Sequence, residues 1–356
     1  MSLTLSDEVF AHSAIFPESN TDNISGIGLR ADGRTRLDCR RMKIRLGPAL
    51  GQAECRIGNT WVRAVVTGEV ITPPPERPNE GKLFISVDYS AIATTATLPS
   101  GDSSGLPGTP QTPDAVSLCN QLERMLKGSK AVDVEALCIA GGSRVWSVRL
   151  DVHIFTDAGN IGDAAATASV AALMHYRRSE VTTLEGSTVV RQDLEPMPLS
   201  IHHMPLPLTF ALVKSPDGST SAVLADPTSL EERLSGGALL VVIVNQYGEL
   251  CGILKPGGTA IPLSTVITCI HAATGRAKEV HKMIADSLEK DAAKREGRKK
   301  DIHHKYDSNT VLTITTGGVV AVQDTAKVED TTVSNSSNTT TTDTDPKPKK
   351  KARTNV

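Results

Sequence analysis

One segment limits the possible folds more than any other: SRVWSVRLDVHIFTDAG, followed at once by NIGDAAATASVAALMHYRR. Apolar and polar residues largely alternate from Val145 to Ile154, which predicts a half-buried strand. Gly159 then turns the chain into an alanine-rich helix, whose small side chains allow close packing on a sheet. The strand, the glycine turn and the helix are therefore predicted to form one unit.

A second block of the chain repeats this theme. Four strands are predicted in PLPLTFALV, SAVLAD, LLVVIVN and LCGILKP, before an amphipathic helix that starts near Pro262 and ends near Lys305. Nearer the N-terminus, the alternation of Met42, Ile44 and Leu46 predicts another strand, and a Gly-Asn turn at residues 58–59 predicts a hairpin. Two blocks of strands, each closed by a helix, predict an α+β fold with mixed sheets.

A chain of 356 residues is long enough for one large or two modest folded units with tails. Residues 99–113 are rich in Gly, Pro and Ser, which predicts a loop without regular structure. The tail is rich in Ser, Thr and Asn, which predicts disorder. The predicted divisions are an N-terminal arm with a possible short helix, a first unit, a second unit with its C-terminal helix, and the tail, over residues 1–28, 29–190, 191–305 and 306–356.

Amino-acid composition limits the cellular compartment in which we expect the protein and the ways in which it could bind RNA. No apolar run approaches the roughly 20 residues needed to cross a bilayer, and residues 1–20 lack a basic start and an apolar core, so we expect an intracellular protein with no membrane partner. Only 3% of the residues are aromatic, so any contact with RNA is expected to depend mainly on phosphates. A basic cluster near the C-terminus is typical of a nuclear import signal or of a solubilising charge run; it comprises Lys347, Lys349, Lys350, Lys351 and Arg353.

The residues that commonly bind metals are poorly placed for it. The six cysteines are scattered without a C-x-x-C pair among apolar or small neighbours, which predicts buried reduced thiols. The histidine pairs at residues 202–203 and 303–304 lack a nearby third ligand. We therefore expect no metal site and no cofactor. Arg149, Asp151 and His153 share a strand face, which predicts a salt-bridged polar face.

Three acids gather in LADPTSLEERLSGGALLVVIV, namely Asp226, Glu231 and Glu232. Paired acids perform acid-base work or hold a divalent metal only where they converge. Glu231 and Glu232 are adjacent, so their side chains diverge on a helix and on a strand. This favours a solvated turn with Asp226 as a helix cap over an active site.

The turn DAGNIGDAAA has the form of an anion site, because the free N–H groups and the dipole of a helix start attract negative charge. However, Asp163 lies in the first turn, where its carboxylate would repel a phosphate, and Ile161 carries no charge. We therefore favour a self-capped structural turn over a phosphate pocket.

Basic residues on a predicted helix are the remaining candidates. In DAVSLCNQLERMLKGSKAV, Leu118, Leu122 and Met125 share one face, while Arg124 and Lys127 lie opposite. This pair could bind phosphates or could simply be solvated, and the residues alone leave both interpretations open.

Several long motifs, taken in order, resemble the RNase PH family and, within it, ring subunits of the eukaryotic RNA exosome. They are LRADGRTRLDCR, NEGKLFISVDYS, LERMLKGSKAVDVEALCI, VWSVRLDVHIFTDAGNIGDAA and PMPLSIHHMPLPLTFALV with VLADPTSLEERLSGG, and they cover about residues 28–290. The resemblance implies an RNase PH-like fold of two β-α-β-α units.

The resemblance also implies a degenerate active site. Active members place an acidic pair in the 226–232 loop, a further Asp six residues later, and a phosphate-binding Arg at the helix start. Here Ala238 is at the later position, Glu232 replaces an Asp, and Ile161 is where the Arg would be. Together with Asp163, these positions imply a non-catalytic subunit, because phosphorolysis needs a cation that holds phosphate and a positioned acid. The alternative is an active phosphate-dependent 3′–5′ exoribonuclease.

Partners follow from the same resemblance. Inactive subunits of this kind pair with an active-type relative in a hetero-oligomeric ring of six RNase PH-like subunits, associate with RNA-binding cap subunits, and pass single-stranded RNA for degradation and ribosomal RNA maturation. Arg124 and Lys127 match basic positions that face RNA, with Lys127 in place of the more usual Arg. The implied locations are the nucleus, including the nucleolus, and the cytoplasm.

Overall fold

The computed structural model describes residues 5–16, 29–90, 113–184, 187–191, 195–215, 221–258, 260–306, 314–315 and 318–319. By its internal contacts the chain divides into a unit of residues 1–296 and a unit of residues 297–356. Most of the predicted 99–113 loop and of the 306–356 tail lies outside the described residues. The predicted boundaries after residues 28, 190 and 305 stay predictions.

The first sheet contains the strands predicted on both sides of the Gly-Asn turn. Its order is β1-β2-β3-β6-β4, with β5 also paired to β6. Since β4 runs parallel to β6 and the other pairs are antiparallel, the prediction of a mixed sheet is confirmed here. The strands are β1 (Met42–Leu46), β2 (Gln52–Ile57), β3 (Thr60–Ile71), β4 (Lys82–Tyr89), β5 (Cys138–Ala140) and β6 (Arg144–Thr156).

Among the described residues, two α-helices precede the alanine-rich helix in the chain. Helix α1 (Leu5–Ile15) confirms the short helix considered for the N-terminal arm, and its Ile15 packs against the second sheet. Helix α2 (Pro113–Glu123) packs on β4 and continues as a π-helical turn over Arg124–Gly128. The predicted apolar face of α2 is buried in the core.

Helix α3 (Ile161–His175) is the alanine-rich helix that was predicted to follow the Gly159 turn. It contacts β2 and β3 of the first sheet and β11 of the second, and twelve of its residues are buried. A helix without a polar side is stable only when it is enclosed. The small side chains of α3 therefore let both sheets approach one helix.

The second sheet is formed by the four strands predicted in the second block. They are β11 (Leu206–Lys214), β12 (Ser221–Ala225), β13 (Leu239–Val244) and β14 (Leu250–Leu254), in the order β12-β11-β13-β14. All of their pairs are antiparallel, so the expected mixture of directions is not found in this sheet. Short antiparallel ladders precede it, formed by β7 (Arg177–Arg178), β8 (Glu180–Leu184), β9 (Ser187–Arg191) and β10 (Met197–Pro198).

The described residues of the second block form two helices. The short α4 (Ser229–Leu234) separates β12 from β13, and the 44-residue α5 (Leu263–Tyr306) follows β14 as predicted. Ala273 of α5 packs in the core of the second sheet, whereas Ile284 packs in the core of the first. In the unit 297–356, the described residues also form the paired strands β15 (Ile314–Thr315) and β16 (Gly318–Val319). Among the described residues, no helix has the length and apolarity required to cross a membrane.

Candidate functional site

The loop that carries the three acids meets a series of arginines from the segment before β1. Asp226 is only 2% exposed and has a positive φ of 49°. Its Oδ1 accepts hydrogen bonds from Arg40 Nη2 at 2.8 Å and from Asn160 Nδ2 at 2.7 Å, and its Oδ2 accepts the Arg40 backbone N–H at 2.7 Å and Arg34 Nη1 at 3.2 Å. Asp226 is therefore a buried, arginine-paired carboxylate, and its prediction as a cap in a solvated turn is wrong.

The electrostatics of Asp226 follow from these contacts. Burial alone would raise the pKa of its carboxyl group, but the hydrogen bonds and charge of Arg40 and the hydrogen bond of Asn160 outweigh burial and hold the pKa below its ordinary value. Asp226 is therefore ionised near neutral pH, where it neutralises the arginine that contacts it most closely.

Glu231 forms a second buried pair. Arg30 Nε donates to Glu231 Oε1 at 2.7 Å, Arg30 Nη2 donates to Glu231 Oε2, and the Arg30 and Glu231 side chains are 0% and 3% exposed. Arg30 Nη1 also donates to the Ala225 carbonyl at 2.6 Å. Glu231 Oε2 accepts the backbone N–H of Thr228, which makes Thr228 and Glu231 the capping box of α4. Thr228 and Glu231 thus provide the cap that the sequence suggested for Asp226.

Glu232 points away from Glu231, as the divergence of adjacent residues predicted. Its Oε1 accepts the backbone N–H of Asn160 at 2.7 Å, at the start of α3. Burial raises the pKa of Glu232 to about 7, and the Asp157 and Asp163 carboxylates contribute to the rise. The N-terminus of α3, a kind of position that attracts anions, is therefore already occupied by a carboxyl group of the protein.

Asp163 is 3% exposed and has a different role from the one expected. Its carboxylate accepts hydrogen bonds from Thr209 Oγ1 at 2.7 Å, from the Thr209 backbone N–H at 3.0 Å and from Asn160 Nδ2 at 2.8 Å. Burial raises the pKa of Asp163 to about 7. The prediction that the helix start is capped by Asp163 is therefore wrong. Glu232 accepts the backbone N–H at the start of α3. Asp163 instead connects α3 to β11 through its hydrogen bonds with Thr209.

The predicted degenerate positions are only partly brought together. Ile161, Asp163 and Glu232 all lie at the start of α3, where Ile161 packs against the first core. Ala238 precedes β13, is 4% exposed and packs in the core of the second sheet. Among the described residues, no hydrogen bond connects Ala238 to Glu232.

Arg124 and Lys127 are both exposed in the π-helical turn after α2. Lys127 Nζ pairs with Glu123 Oε1 at 2.6 Å. Arg124 has no ion pair to the described part of the chain, and it lines a surface groove with Ile243 and Ile253 of the second sheet. Of the two, Arg124 is the one whose charge is uncompensated.

Two segments of the chain match models of a known protein family. Residues 38–179 match the model of the 3′ exoribonuclease family, domain 1 (RNase_PH), and residues 203–276 match domain 2 of the same family (RNase_PH_C). The chain belongs to the RNase PH family. The RNase PH fold inferred from the sequence motifs is thus confirmed.

Relatives within the RNase PH family narrow the assignment. The chain is 35% identical to exosome complex component RRP45A of Arabidopsis thaliana over 87% of this chain and 95% of the relative, and 34% identical to exosome complex component RRP45 of Danio rerio over 87% and 74%. A solved structure, the Archaeoglobus fulgidus exosome with RNA bound to the active site, matches at 22% identity with a TM-score of 0.61, over 78% of this chain and 97% of the solved chain. The solved structure supports the fold. The relatives confirm the resemblance to exosome subunits and narrow it to the RRP45 type.

Other sequence expectations for this RNase PH chain have mixed outcomes. The salt-bridged face is confirmed, because Arg149 Nε donates to Asp151 Oδ1 at 2.8 Å and His153 lies 3.6 Å from an Asp88 oxygen. Among the described residues, no group of three or more His, Cys, Asp or Glu could hold a metal ion. The His303 and His304 side chains lie outside the described residues. All six cysteines are free, but only Cys55 and Cys269 are fully buried, so the prediction of burial is wrong for the other four, which are partly exposed.

Sequence reasoning missed the roles of Arg30, Arg34 and Arg40. A signal was present, because the segment of residues 30–41 holds five arginines, and a cluster of acids elsewhere in the chain offers complementary charge. It also missed His175, whose Nε2 lies 3.1 Å from Asp291 Oδ2 and 3.3 Å from Arg295 Nη2. These contacts join the end of α3 to α5 and could not be inferred from spacing.

Proposed function

We propose that this chain is a non-catalytic ring subunit of the RNA exosome, which supports assembly and RNA threading for 3′–5′ degradation and processing, including ribosomal RNA maturation. Its relatives are named exosome complex components over most of the chain. The proposal takes from them a hetero-oligomeric ring of RNase PH-like subunits, with RNA-binding cap subunits and single-stranded RNA as further partners.

One observation carries the non-catalytic part of the proposal: Glu232 occupies the Asn160 N–H at the start of α3. Inorganic phosphate needs free donors or cations, since it must be held against an anionic RNA backbone. Beside the site, Arg40 is bound to Asp226 and Arg30 to Glu231. Ile161 offers no charge of its own. Arg30 and Arg40 therefore serve the fold, and neither is positioned as a free phosphate ligand.

The first experiment is the native mass and composition of the complex that copurifies with the tagged chain from its own cells. A complex of several different RNase PH-like subunits with cap proteins is the expected result. A lone chain or a homo-oligomer would contradict the ring assignment. Deletion of residues 307–356 tests the tail separately, and we expect an intact ring with, at most, reduced nuclear import through the Lys347–Arg353 cluster.

A second candidate is an active phosphate-dependent 3′–5′ exoribonuclease. It is favoured by the raised pKa values of Glu232 and Asp163, because a carboxyl group that titrates near neutral pH can transfer a proton. Its test is the phosphate-dependent release of nucleoside diphosphates from an RNA oligomer by the purified complex. This candidate requires that Glu232→Ala abolishes the release, whereas the non-catalytic proposal expects no difference between the variant and the parent.

The RNA contacts proposed for this subunit are Arg124 and Lys127. Both are exposed, and Arg124 has no ion pair to any described residue. Such contacts act on phosphates, so they are independent of sequence and sensitive to salt.

A further inference from the structure

The outer face of the first sheet carries a group of basic and aromatic side chains that the proposed function does not use. We call it the basic-aromatic face, and it consists of Lys43, Arg45, Arg56, Trp61, Arg63 and Phe155. It lies at the β1 edge of the sheet. Helix α2, which precedes Arg124, packs on β4 at the opposite edge.

The strand register puts these side chains on one side of the sheet. Lys43 is paired with Arg56, and Arg56 with Trp61; in the neighbouring row, Arg45 is paired with Glu54, and Glu54 with Arg63. Residues paired across antiparallel strands point to the same face. The alternate residues of β2 and β3 are buried under α3 on the other side of the sheet. In the described part of this chain, no helix covers the basic-aromatic face.

Positive charge exceeds negative charge on the described part of this face. Lys43, Arg45, Arg56 and Arg63 form no ion pair with any described residue, and Arg63 makes its hydrogen bond to the neutral Gln52 side chain at 2.8 Å. Glu54 is the acid placed among them by the register. Farther across the sheet, Arg149 of β6 is paired with Asp151. Positive charge is thus concentrated over β1, β2 and β3.

The aromatic part of the face is a cluster of Arg56, Trp61 and Phe155, in which the two rings are tilted by 34°. The Trp61 and Phe155 rings have centroids 4.5 Å apart, and the Arg56 guanidinium carbon lies 4.1 Å from the centroid of the Trp61 ring. Arginine planes and indole rings are the groups on which unpaired bases stack in complexes with single-stranded nucleic acid. This arrangement therefore combines a stacking surface with neighbouring phosphate ligands.

A protective role of edge charges explains only part of the face. Lys and Arg on an edge strand discourage pairing with another sheet, which accounts for Lys43 and Arg45 on β1. It does not account for Arg56 on β2 or for Trp61 on β3, because both strands are paired on each side. An acidic peptide would satisfy the cations but would not use the aromatic rings.

We infer that the basic-aromatic face binds single-stranded RNA, with Lys43 and Arg45 contacting phosphates and the Arg56–Trp61 stack receiving a base. The choice of RNA rests on the proposed exosome function. The face itself is complete within one chain and does not require the ring. It constitutes a second RNA contact on the side of the sheet away from α3.

Trp61 provides a direct readout. The chain has two tryptophans, and Trp146 is 7% exposed, so quenching by an added RNA oligomer reports mainly on Trp61. We expect oligouridylate to quench the fluorescence of the full chain in a saturable titration. The Trp61→Leu variant should lose this quenching, and its affinity measured by fluorescence anisotropy of labelled RNA should fall about tenfold.

The charges are tested by the double variant Lys43→Ser, Arg45→Ser. Its plot of the logarithm of RNA affinity against the logarithm of salt concentration should be less steep by about 1.4, because two phosphate contacts are lost. The control is Lys278→Ser, Lys282→Ser, which removes two exposed lysines from α5 and should leave the slope unchanged.

Two outcomes would overturn the inference: wild-type affinity and slope in the Lys43/Arg45 double variant, or quenching of Trp61 by poly-L-glutamate as strong as that by RNA. The second outcome would assign the face to an acidic protein. Native mass of the copurified complex is recorded for every variant. If ring assembly fails in the parent itself, the proposed function fails, whereas an intact ring with unchanged RNA affinity rejects the basic-aromatic face alone.

Discussion

Glu232 and Asn160 are 72 positions apart in the sequence, yet the Glu232 carboxyl oxygen accepts the Asn160 backbone N–H at 2.7 Å. This bond brings the loop after β12 to the first turn of α3. The helix start that could hold an anion is occupied by an acid of the same chain, and burial raises the pKa of that acid to about 7.

The first prediction concerns pH. In the unfolded chain the Glu232 carboxyl group ionises near the ordinary glutamate pKa of 4.5, whereas in the folded chain its pKa is about 7. The folded state therefore holds its proton over a range in which the unfolded state has lost it, so the contribution of Glu232 to stability falls as pH rises from about 4.5 to 7. The loss is on the order of 3 kcal/mol.

Replacing Glu232 by Gln should remove this part of the pH dependence. We expect the free energy of unfolding of Glu232→Gln, measured by urea denaturation from pH 5 to 8, to decline less with pH than that of the parent. The exposed Glu289→Gln is the matched control. An identical pH dependence in the parent and Glu232→Gln would show that Glu232 is not held protonated by the fold.

The second prediction concerns the buried Arg30–Glu231 pair. Arg30→Met should lower the free energy of unfolding by about 3–5 kcal/mol, because it leaves Glu231 charged and buried without its partner. The control is Arg77→Ala, which breaks an exposed pair with Glu80 and should cost less than about 1 kcal/mol. Equal costs for the two variants, measured by chemical denaturation, would contradict the assignment of Arg30 as a structural residue.

The third prediction concerns Ala238, the position at which the resemblance to active family members would place an aspartate. Ala238→Asp should lower the free energy of unfolding by about 2–4 kcal/mol, because a carboxylate would enter an apolar core beside Gly258. Ala260→Asp introduces the same group at an exposed alanine and should have little effect. If Ala238→Asp is as stable as the control, the site accepts an acid, and phosphorolysis by that variant should then be measured.

The fourth prediction separates the two basic residues after α2. Arg124→Ala should weaken RNA binding by the complex more than Lys127→Ala does, because Lys127 already shares its charge with Glu123. The salt dependence of binding should become less steep by about 0.7 for Arg124→Ala. Native mass shows whether the ring remains assembled in both variants. Unchanged binding in the charge-reversed double variant, Arg124→Glu with Lys127→Glu, would reject the role of this pair.

Much of the fold could be predicted because its signals are local. The alternation in β1 and β6, the hairpin turn at residues 58–59 and the alanine-rich segment of α3 each show in a short window of sequence. The relative direction of the strands in the second sheet was predicted less well, because it depends on which strands become neighbours. That choice is made by packing over long distances.

The candidate site was harder to predict for the same reason. The prediction that the Glu231 and Glu232 side chains diverge was correct, since it follows from helix geometry alone. The partners of Asp226 come from Arg34 and Arg40, which lie 192 and 186 positions earlier, so their pairing leaves no periodic trace in the sequence. Burial and these contacts together then set the pKa values, and both are properties of the folded chain.

The enclosure of α3 limits how this sequence can drift. Ala165 and Ala168 are 0% exposed within a helix that touches both sheets, so an added methylene there has to displace neighbours on a packed interface. Substitutions that alter chemistry at the helix start leave this interface intact, whereas substitutions along the helix disturb both halves of the protein together. Over many generations, such a chain can therefore exchange the residues of an active site more readily than the alanines that hold its shape.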